Sequence, residues 1–348
     1  MKKIFAITFT LINILFISCD KKVVYPPEII PGSNGSISGL NTYNGNLIIG
    51  GRFDSVGSIA AHNIAQWNGT KWSGIGFSGS DSIKFFTVYN GNLIAAGHYG
   101  IIYEYNGSVW STILSDNTKA IEAIIVYNGN LVLGGYDYNT NGAYLAQWNG
   151  SNWGSIARFP IAGLNHAGYV YSLASFNGNL VAGGTFDSIN GILVNNIAQW
   201  NGSTWSGLGS GIGEPSNTAP TMVYAVCVFN ANLVIGGILG EAANSLGNLA
   251  QWNGLSWQKI SNGMSEPIND LIVDSGNLIA TDYASDIEEW NGASWNSITF
   301  NGYSTNGYPD VMQVYNGNLY ICGYFATVNG ATAYNIAQYN GTTWSPLP

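Results

Sequence analysis

The segments Tyr43-Asn44-Gly45-Asn46-Leu47 and Trp67-Asn68-Gly69-Thr70-Lys71-Trp72 form one unit of a repeat that decides the fold. Phe176-Asn177-Gly178-Asn179-Leu180 and Trp200-Asn201-Gly202-Ser203-Thr204-Trp205 form another copy. Asn-Gly between β-forming residues is a strong hairpin signal, because a type I′ turn needs positive φ at both central positions and these residues tolerate it best. Each unit therefore predicts two hairpins, and so four antiparallel strands.

The unit occurs seven times, and its last tryptophan marks the period, at Trp72, Trp110, Trp153, Trp205, Trp257, Trp295 and Trp344. The spacings average about 45 residues, which is the length of one four-stranded propeller blade. The sequence thus predicts an all-β fold, a seven-bladed β-propeller with four antiparallel strands per blade. The predicted blades span approximately residues 36–76, 77–114, 115–157, 158–209, 210–261, 262–299 and 300–348.

All 12 tryptophans occupy the two aromatic positions of the second hairpin, and Tyr105 and Tyr339 fill the two that remain. We expect these rings to fill the gaps between neighbouring blades, where each can bury on the order of 150–250 Å². The alternative is a ring of sugar-stacking platforms, as in propeller lectins. That alternative requires some of these rings to be exposed.

Two further positions recur in the unit. The third strand carries Gln or Glu in every copy, at Gln66, Glu104, Gln147, Gln199, Gln251, Glu289 and Gln338. A buried polar side chain needs a hydrogen bond, so we expect these groups to bond backbone groups of a neighbouring strand or blade rather than to form a catalytic ring. The second strand ends in a glycine pair in four copies, such as Gly50-Gly51 and Gly183-Gly184, which predicts a close backbone approach or a bulge.

An apolar strand ending in Gly-Gly, followed by an aromatic residue and then tryptophan, resembles the repeat of kelch-type propellers. The five-residue interval between the last two aromatics is shorter than the usual kelch spacing. The copies are also similar to the repeats of fungal cortical polarity-marker proteins and of exported bacterial repeat proteins. This resemblance implies the propeller fold and implies little about chemistry.

The N-terminus has the pattern of an export signal. Lys2 and Lys3 precede an apolar run from Ile4 to Ile17, which predicts a signal peptide at residues 1–18. Phe16-Ile17-Ser18-Cys19 resembles a bacterial lipoprotein box, with Phe16 where leucine is usual, and implies lipid attachment at Cys19. Residues 19–35 contain three prolines and are predicted to be the lipid-anchored tether. An ordinary signal peptide with an incidental cysteine is the alternative.

Charge and cysteine content restrict the partners. The chain has 10 basic and 19 acidic residues, and removing residues 1–18 takes away two lysines, so the net charge of the mature chain is −11. Nucleic acid is therefore an unsuitable partner, because binding it requires clustered Lys and Arg. Cys227 and Cys322 fall in the fifth and seventh predicted blades, so the sequence predicts no disulfide between them.

The predicted topology separates the two faces of the ring. Both tight turns of each blade lie on one face, and the loops between strands two and three lie on the other with the links between blades. We expect any ligand site on this long-loop face, since binding residues concentrate on loops held by a rigid scaffold. Its longest segments are residues 52–61, 158–168, 185–194, 207–221, 238–247, 261–267, 300–309 and 324–333. In the second and sixth blades the loop between strands two and three is short, at residues 98–101 and 282–286. The sequence therefore predicts two notches in the rim of this face.

Candidate catalytic and metal-binding residues are few. Two arginines, Arg52 and Arg158, are too few for the substrate-binding cluster of a sialidase-like propeller. His62, His98 and His166 share no spacing that would make them metal ligands, so each is predicted to be a surface or packing residue. Residues 137–142 imitate the opening of a calcium loop, but Trp148 replaces the closing glutamate, so a turn is predicted. The acidic group Asp282, Asp286, Glu288 and Glu289 is predicted to be a solvated edge with one buried member. We therefore assign no catalytic residue, no metal site and no cofactor.

The sequence predicts an exported, lipid-anchored propeller that acts as a non-catalytic binding or scaffolding module at the bacterial cell envelope. Its expected ligand is a protein or a glycan on the long-loop face, membrane contact is through the lipid only, and the expected state is a monomer. The alternatives are a multivalent lectin-like propeller, a glycan-active hydrolase or lyase with acids beside His166 or Arg158, and a purely structural envelope protein. Ring closure is expected through side-chain packing, helped by residues 22–36.

Overall fold

The computed structural model describes residues 30–159, 168–213, 221–239, 246–261, 264–284, 286–300 and 308–348. The predicted signal peptide, Cys19, residues 20–29 and His166 lie outside these ranges. All regular secondary structure in the described residues is β-structure. Within them, no helix has the length and apolar character needed to cross a bilayer.

The described residues form 35 strands, labelled here in chain order. The first group is β1 (Ile30–Ser33), β2 (Ser36–Tyr43), β3 (Asn46–Arg52), β4 (Ser55–Gly57), β5 (Ile59–Ala60), β6 (Ile64–Trp67), β7 (Trp72–Gly74), β8 (Ile83–Tyr89), β9 (Asn92–Gly97), β10 (Ile101–Tyr105), β11 (Trp110–Ser115), β12 (Lys119–Tyr127), β13 (Asn130–Asp137), β14 (Gly142–Trp148) and β15 (Trp153–Ala157). The second group is β16 (Tyr169–Phe176), β17 (Asn179–Thr185), β18 (Ser188–Ile189), β19 (Ile192–Leu193), β20 (Ile197–Trp200), β21 (Trp205–Gly207), β22 (Met222–Phe229), β23 (Asn232–Ile238), β24 (Leu249–Trp252) and β25 (Trp257–Lys259). The third group is β26 (Ile268–Asp274), β27 (Asn277–Asp282), β28 (Ile287–Trp290), β29 (Trp295–Ser297), β30 (Tyr308–Tyr315), β31 (Asn318–Tyr324), β32 (Thr327–Val328), β33 (Ala331–Thr332), β34 (Ile336–Tyr339) and β35 (Trp344–Pro346).

Seven four-stranded antiparallel sheets account for most of these strands in the described residues. In order from the first strand outward they are β2-β3-β6-β7, β8-β9-β10-β11, β12-β13-β14-β15, β16-β17-β20-β21, β22-β23-β24-β25, β26-β27-β28-β29 and β30-β31-β34-β35. We number them sheets one to seven. Three smaller sheets, β1-β4-β5, β18-β19 and β32-β33, contain strands from the long loops of sheets one, four and seven.

The sheets are arranged in a closed ring. The first strand of each sheet packs against the first strand of the next, in the order β2, β8, β12, β16, β22, β26 and β30, and β30 packs back against β2. Sheets one and seven are therefore neighbours in the ring, although they are the first and last sheets along the chain. The predicted all-β propeller of four-stranded antiparallel sheets is confirmed.

The two hairpins of each unit use different turns. At the first turn Asn44 and Gly45 have φ of 48° and 76°, as a type I′ turn requires. At the second turn only the glycine is left-handed, with φ of 96° at Gly69, and the Asn68 side chain accepts hydrogen bonds from the backbone N–H groups of Thr70 and Lys71 at 3.0 and 2.9 Å. The type I′ prediction is therefore correct for the first hairpin and wrong for the second, where the asparagine caps a longer turn.

The motif tryptophans pack inside the molecule. Five of them are buried and seven are half-buried, and within a hairpin the two rings face each other, as for Trp67 and Trp72 with centroids 5.1 Å apart. The last tryptophan can also bond the preceding sheet, since the Trp205 indole N–H donates to the Ile156 carbonyl at 2.9 Å. Trp110 and Trp257 make the equivalent bonds. These rings join neighbouring sheets, and none of the 12 tryptophans is exposed.

In six of the seven sheets, the recurring Gln or Glu of the third strand bonds a side chain and not the backbone. In sheet one the Asn46 amide donates to Gln66 Oε1 at 3.1 Å, and in sheet two Asn92 donates to Glu104 Oε1 at 2.9 Å. Sheets four, five and six repeat this pair, and all seven Gln and Glu residues are half-buried. The expected backbone partner was wrong, because the second asparagine of the Asn-Gly-Asn-Leu segment lies on the adjacent strand and supplies the donor.

The glycine pair combines both predicted roles. A Cβ on Gly183 would lie 2.6 Å from Val223 in the next sheet, and a Cβ on Gly184 would lie 1.9 Å from the Tyr169 carbonyl oxygen. Opposite each pair or its replacement, the first strand contains a register shift that leaves one residue without a cross-strand partner. We call these residues the axial bulge residues: Ser38, Lys84, Glu122, Tyr171, Tyr224, Asn269 and Asp310.

Ring closure involves backbone hydrogen bonds as well as side-chain packing. The Tyr334 N–H donates to the Pro31 carbonyl at 2.9 Å, the Ser33 N–H donates to the Tyr334 carbonyl at 3.1 Å, and the Asn335 amide donates to the Gly35 carbonyl at 2.8 Å. Strand β1 also pairs with β4 of the first unit. Residues 30–35, which the sequence assigned to the tether, therefore join sheet one to sheet seven. Help from residues 22–36 was expected, whereas the backbone hydrogen bonds were not, since closure was expected through side-chain packing.

Candidate functional site

A cavity of about 440 Å³ opens on the axis of the ring. The first strand of every one of the seven sheets contributes to its lining, and Tyr283 contributes from the loop after β27. The axial bulge residues lie near the start of these strands, at the opposite end from the Asn-Gly turns. The axial cavity therefore opens toward the long-loop face, where the sequence predicted a ligand site.

The lining of the axial cavity differs from sheet to sheet. Its seven axial bulge residues include one lysine, one glutamate, one aspartate, one asparagine, one serine and two tyrosines. The outer positions of the sheets, by contrast, repeat the same aromatic and Gln or Glu residues in each copy. A cavity that combines apolar walls with a few convergent polar groups is the usual form of a ligand site.

On one side of the axial cavity, Lys84 forms an ion pair with Glu122. Lys84 Nζ donates to Glu122 Oε2 at 3.1 Å, and His98 Nδ1 lies 3.3 Å from Glu122 Oε1. The glutamate side chain is only 12% exposed. His98 was predicted to be a surface or packing residue, but the structure places it against a cavity residue, which its isolated position in the sequence did not reveal.

Two aspartates lie on the other side. Asp270 accepts hydrogen bonds from its neighbour Leu271 N–H and from Met312 N–H of the next sheet, both at 2.8 Å. Burial nevertheless raises the pKa of Asp270 to about 6, and the nearby Asp310 carboxylate adds to the effect. Burial also raises the pKa of Asp310, while Lys84 opposes that shift. Each carboxylate would thus be stabilised by a cation placed beside it.

A row of six tyrosines leads to the cavity across the long-loop face. Successive ring centroids are 5.1, 4.5, 5.2, 5.1 and 6.0 Å apart. In spatial order the members of this tyrosine row are Tyr138, Tyr136, Tyr169, Tyr171, Tyr224 and Tyr283. The end residues Tyr138 and Tyr283 are 53% and 51% exposed. Burial raises the pKa of Tyr171 and Tyr224, so their phenols are neutral at physiological pH.

The other sequence candidates do not converge. Asp137 accepts from the Asn139 N–H at 2.8 Å within a tight turn, as predicted for that segment. Asp282 is 1% exposed, and its carboxylate accepts from the Ala284 and Asp286 N–H groups, so it is the expected buried member of the acidic group. In the described ranges no three His, Cys, Asp or Glu residues are grouped as a metal would require, and Arg158 forms no ion pair.

Sequence reasoning did not identify the axial residues. Within one copy of the repeat, a position such as Lys84 or Tyr171 looks like an ordinary variable residue of a strand. An alignment of the seven first strands with one another could have found them. In six of the seven first strands the axial bulge residue follows a buried isoleucine or valine, and its identity varies among the sheets. In the seventh it follows Pro309.

Comparison with known proteins shows the fold. The chain resembles the extracellular domain of the hybrid two-component system BT4673 from B. thetaiotaomicron, with 15% identity and a TM-score of 0.62; the match covers 89% of this chain and 39% of that chain. It also resembles YCF48 bound to D1 peptide, with 14% identity, a TM-score of 0.54, and coverage of 85% and 92%.

A third similar structure is the WD40 β-propeller domain of Doa1, with 13% identity, a TM-score of 0.51, and coverage of 78% and 84%. This chain spans only about 39% of the length of the BT4673 chain. No protein-family model matches the sequence, and no curated protein matches it. At these identities the similarities establish a β-propeller fold.

Proposed function

We propose that this protein is an exported, lipid-anchored β-propeller that binds a protein ligand through the axial cavity and acts as a non-catalytic binding or scaffolding module at the bacterial cell envelope. The observation that carries the proposal is the lining of the axial cavity. Seven equivalent positions of a repeated fold contain unlike residues there, while structural positions elsewhere remain nearly uniform. Recognition of one specific ligand requires such an unlike set, whereas packing does not.

The envelope location rests on the N-terminal pattern. Residues 1–18 have the form of a signal peptide, and Cys19 ends the lipoprotein-box segment. The resemblance to an extracellular bacterial domain is consistent with export. The described fold begins at residue 30, so about ten residues separate the proposed anchor from the ring.

Lipid attachment is tested by replacing Cys19 with serine. The wild-type protein is expected to incorporate a radiolabelled fatty acid in growing bacteria and to partition into detergent. The Cys19→Ser protein is expected to incorporate none and to remain in the aqueous phase. Equal partitioning of the two proteins would favour an ordinary signal peptide.

A protein ligand is favoured by the shape and chemistry of the site. The axial cavity and the tyrosine row form one continuous surface, because Tyr171, Tyr224 and Tyr283 belong to both. Tyrosine provides large contact area with little loss of conformational entropy and is enriched at protein interfaces. The similar YCF48 structure contains a bound peptide, which is consistent with a propeller surface used in this way.

Quantitative affinity capture from envelope extracts tests the binding function. Proteins captured by the wild type are compared with those captured by Tyr283→Ala, at the cavity rim, and by Leu255→Ala, in a turn on the opposite face. We expect a specific partner to be reduced at least about tenfold by Tyr283→Ala and unchanged by Leu255→Ala, as for loss of an aromatic hot spot. Equal recovery with all three proteins would contradict recognition at the axial cavity.

A glycan ligand is the second candidate, and the tyrosine row is the observation that favours it. The partly exposed rings of Tyr138 and Tyr283 could each stack on a sugar, unlike the motif tryptophans. A glycan array probed with the wild type and with Tyr138→Ala separates the two candidates. Hits that disappear in the variant would replace the protein ligand with a carbohydrate.

A further inference from the structure

We propose that the axial cavity recognises an arginine side chain of the protein partner, with the guanidinium seated beside the Asp270 and Asp310 carboxyls and against the rings of Tyr171, Tyr224 and Tyr283. This inference rests on the proposed function and specifies the chemistry of its ligand. Charge and aromatic surface support it independently.

The charges lining the cavity are unbalanced. Lys84 is the only cation among the described lining residues, which include three carboxyl groups, those of Glu122, Asp270 and Asp310. Its ammonium lies within hydrogen-bond distance of Glu122 at 3.1 Å, so its strongest interaction is on that side. Burial is the main cause of the elevated pKa of Asp270, and the negative charge of Asp310 adds to it. A bound cation would relieve this repulsion.

The aromatic wall suits a planar cation. Tyr171 and Tyr224 have ring centroids 5.1 Å apart, and Tyr283 extends the wall to the rim. A cation over a tyrosine face is attracted by the ring quadrupole, more strongly where water is excluded. Guanidinium stacks flat on such a ring and bonds carboxylates in a fork, whereas a lysine ammonium cannot do both. Arginine is therefore favoured over lysine.

A matched pair of peptides tests the inference. The probes are Ac-Gly-Arg-Gly-NH2 and the same peptide with citrulline, which has nearly the shape of arginine but no charge. Binding to the full mature chain carrying Cys19→Ser is measured by ligand-observed NMR titration. We expect the arginine peptide to bind at least about tenfold more tightly than the citrulline peptide, since charge-assisted hydrogen bonds are about twice as strong as neutral ones.

The variant Asp270→Asn/Asp310→Asn is expected to remove the preference for arginine. The control Asp54→Asn, which removes an 82% exposed carboxylate from the same face, is expected to retain it. Circular dichroism confirms folding of each variant, and Asp310→Asn alone replaces the double variant if the latter does not fold. Equal binding of the two peptides, or binding of neither, would overturn the arginine assignment. The proposed function is judged separately, because partner capture by the wild type and its loss in Tyr283→Ala do not depend on these peptides.

Discussion

Replacing Trp205 with alanine is expected to lower the free energy of unfolding by about 3–5 kcal/mol. The indole is 3% exposed and packs among residues of sheets three and four. Its N–H also donates to the Ile156 carbonyl of the preceding sheet. Alanine would leave both a cavity and an unpaired carbonyl at the junction between the sheets, so the loss should exceed that of an ordinary surface substitution.

Urea denaturation at equilibrium measures this effect, and Leu255→Ala provides the control. Leu255 is a large apolar residue at 87% exposure, so its removal is expected to change the unfolding free energy by less than about 0.5 kcal/mol. If Trp205→Ala unfolds at the same urea concentration as the wild type, the motif tryptophans do not hold the sheets together. That result would revive the lectin-like arrangement.

The second large effect is a pH-dependent gain in stability on replacing Asp270 with asparagine. The folded-state pKa of about 6 lies above the ordinary value of 3.8, so ionisation of Asp270 destabilises the free protein. This penalty is absent below pH 3.8, grows as pH rises, and is complete above about pH 6. Relative to wild type, Asp270→Asn is therefore expected to gain roughly 3 kcal/mol between pH 4 and pH 8.

Urea denaturation of both proteins at several pH values between 4 and 8 tests this prediction. Asp54→Asn serves as the control, since its carboxylate is largely in water. Bound arginine should reduce the gain of Asp270→Asn, because the cation stabilises the ionised carboxylate of the wild type. A difference between wild type and Asp270→Asn that is constant with pH would show that Asp270 is not held in a poorly solvated environment.

The fold was predictable because the repeated sequence specifies both the turns within each unit and the period at which the units recur. Asn44 and Gly45 define a type I′ turn by their own conformational preferences, and the tryptophan spacing gives the period. The turn at Asn68-Gly69 was less predictable, because the same two letters begin a longer turn that is capped by the asparagine side chain. Local sequence does not distinguish these two cases.

Ring closure and the axial cavity depend on contacts between residues distant in sequence. The three prolines of residues 19–35 made this segment look like a tether, yet backbone groups of residues 31–35 bond Tyr334 and Asn335 about 300 residues away. The cavity arises because bulges opposite the glycine pairs place residues such as Glu122 and Tyr224 on one axis. Neither feature has a signature within a single copy.

Photo-crosslinking in growing bacteria tests most directly whether the axial cavity is the recognition site. A photoreactive phenylalanine is placed at Tyr283, at the cavity rim, or at Leu255, on the opposite face. Recognition at the axial cavity predicts a crosslink to one defined protein from position 283 and none from position 255. A crosslink to the same protein from position 255 alone would contradict it.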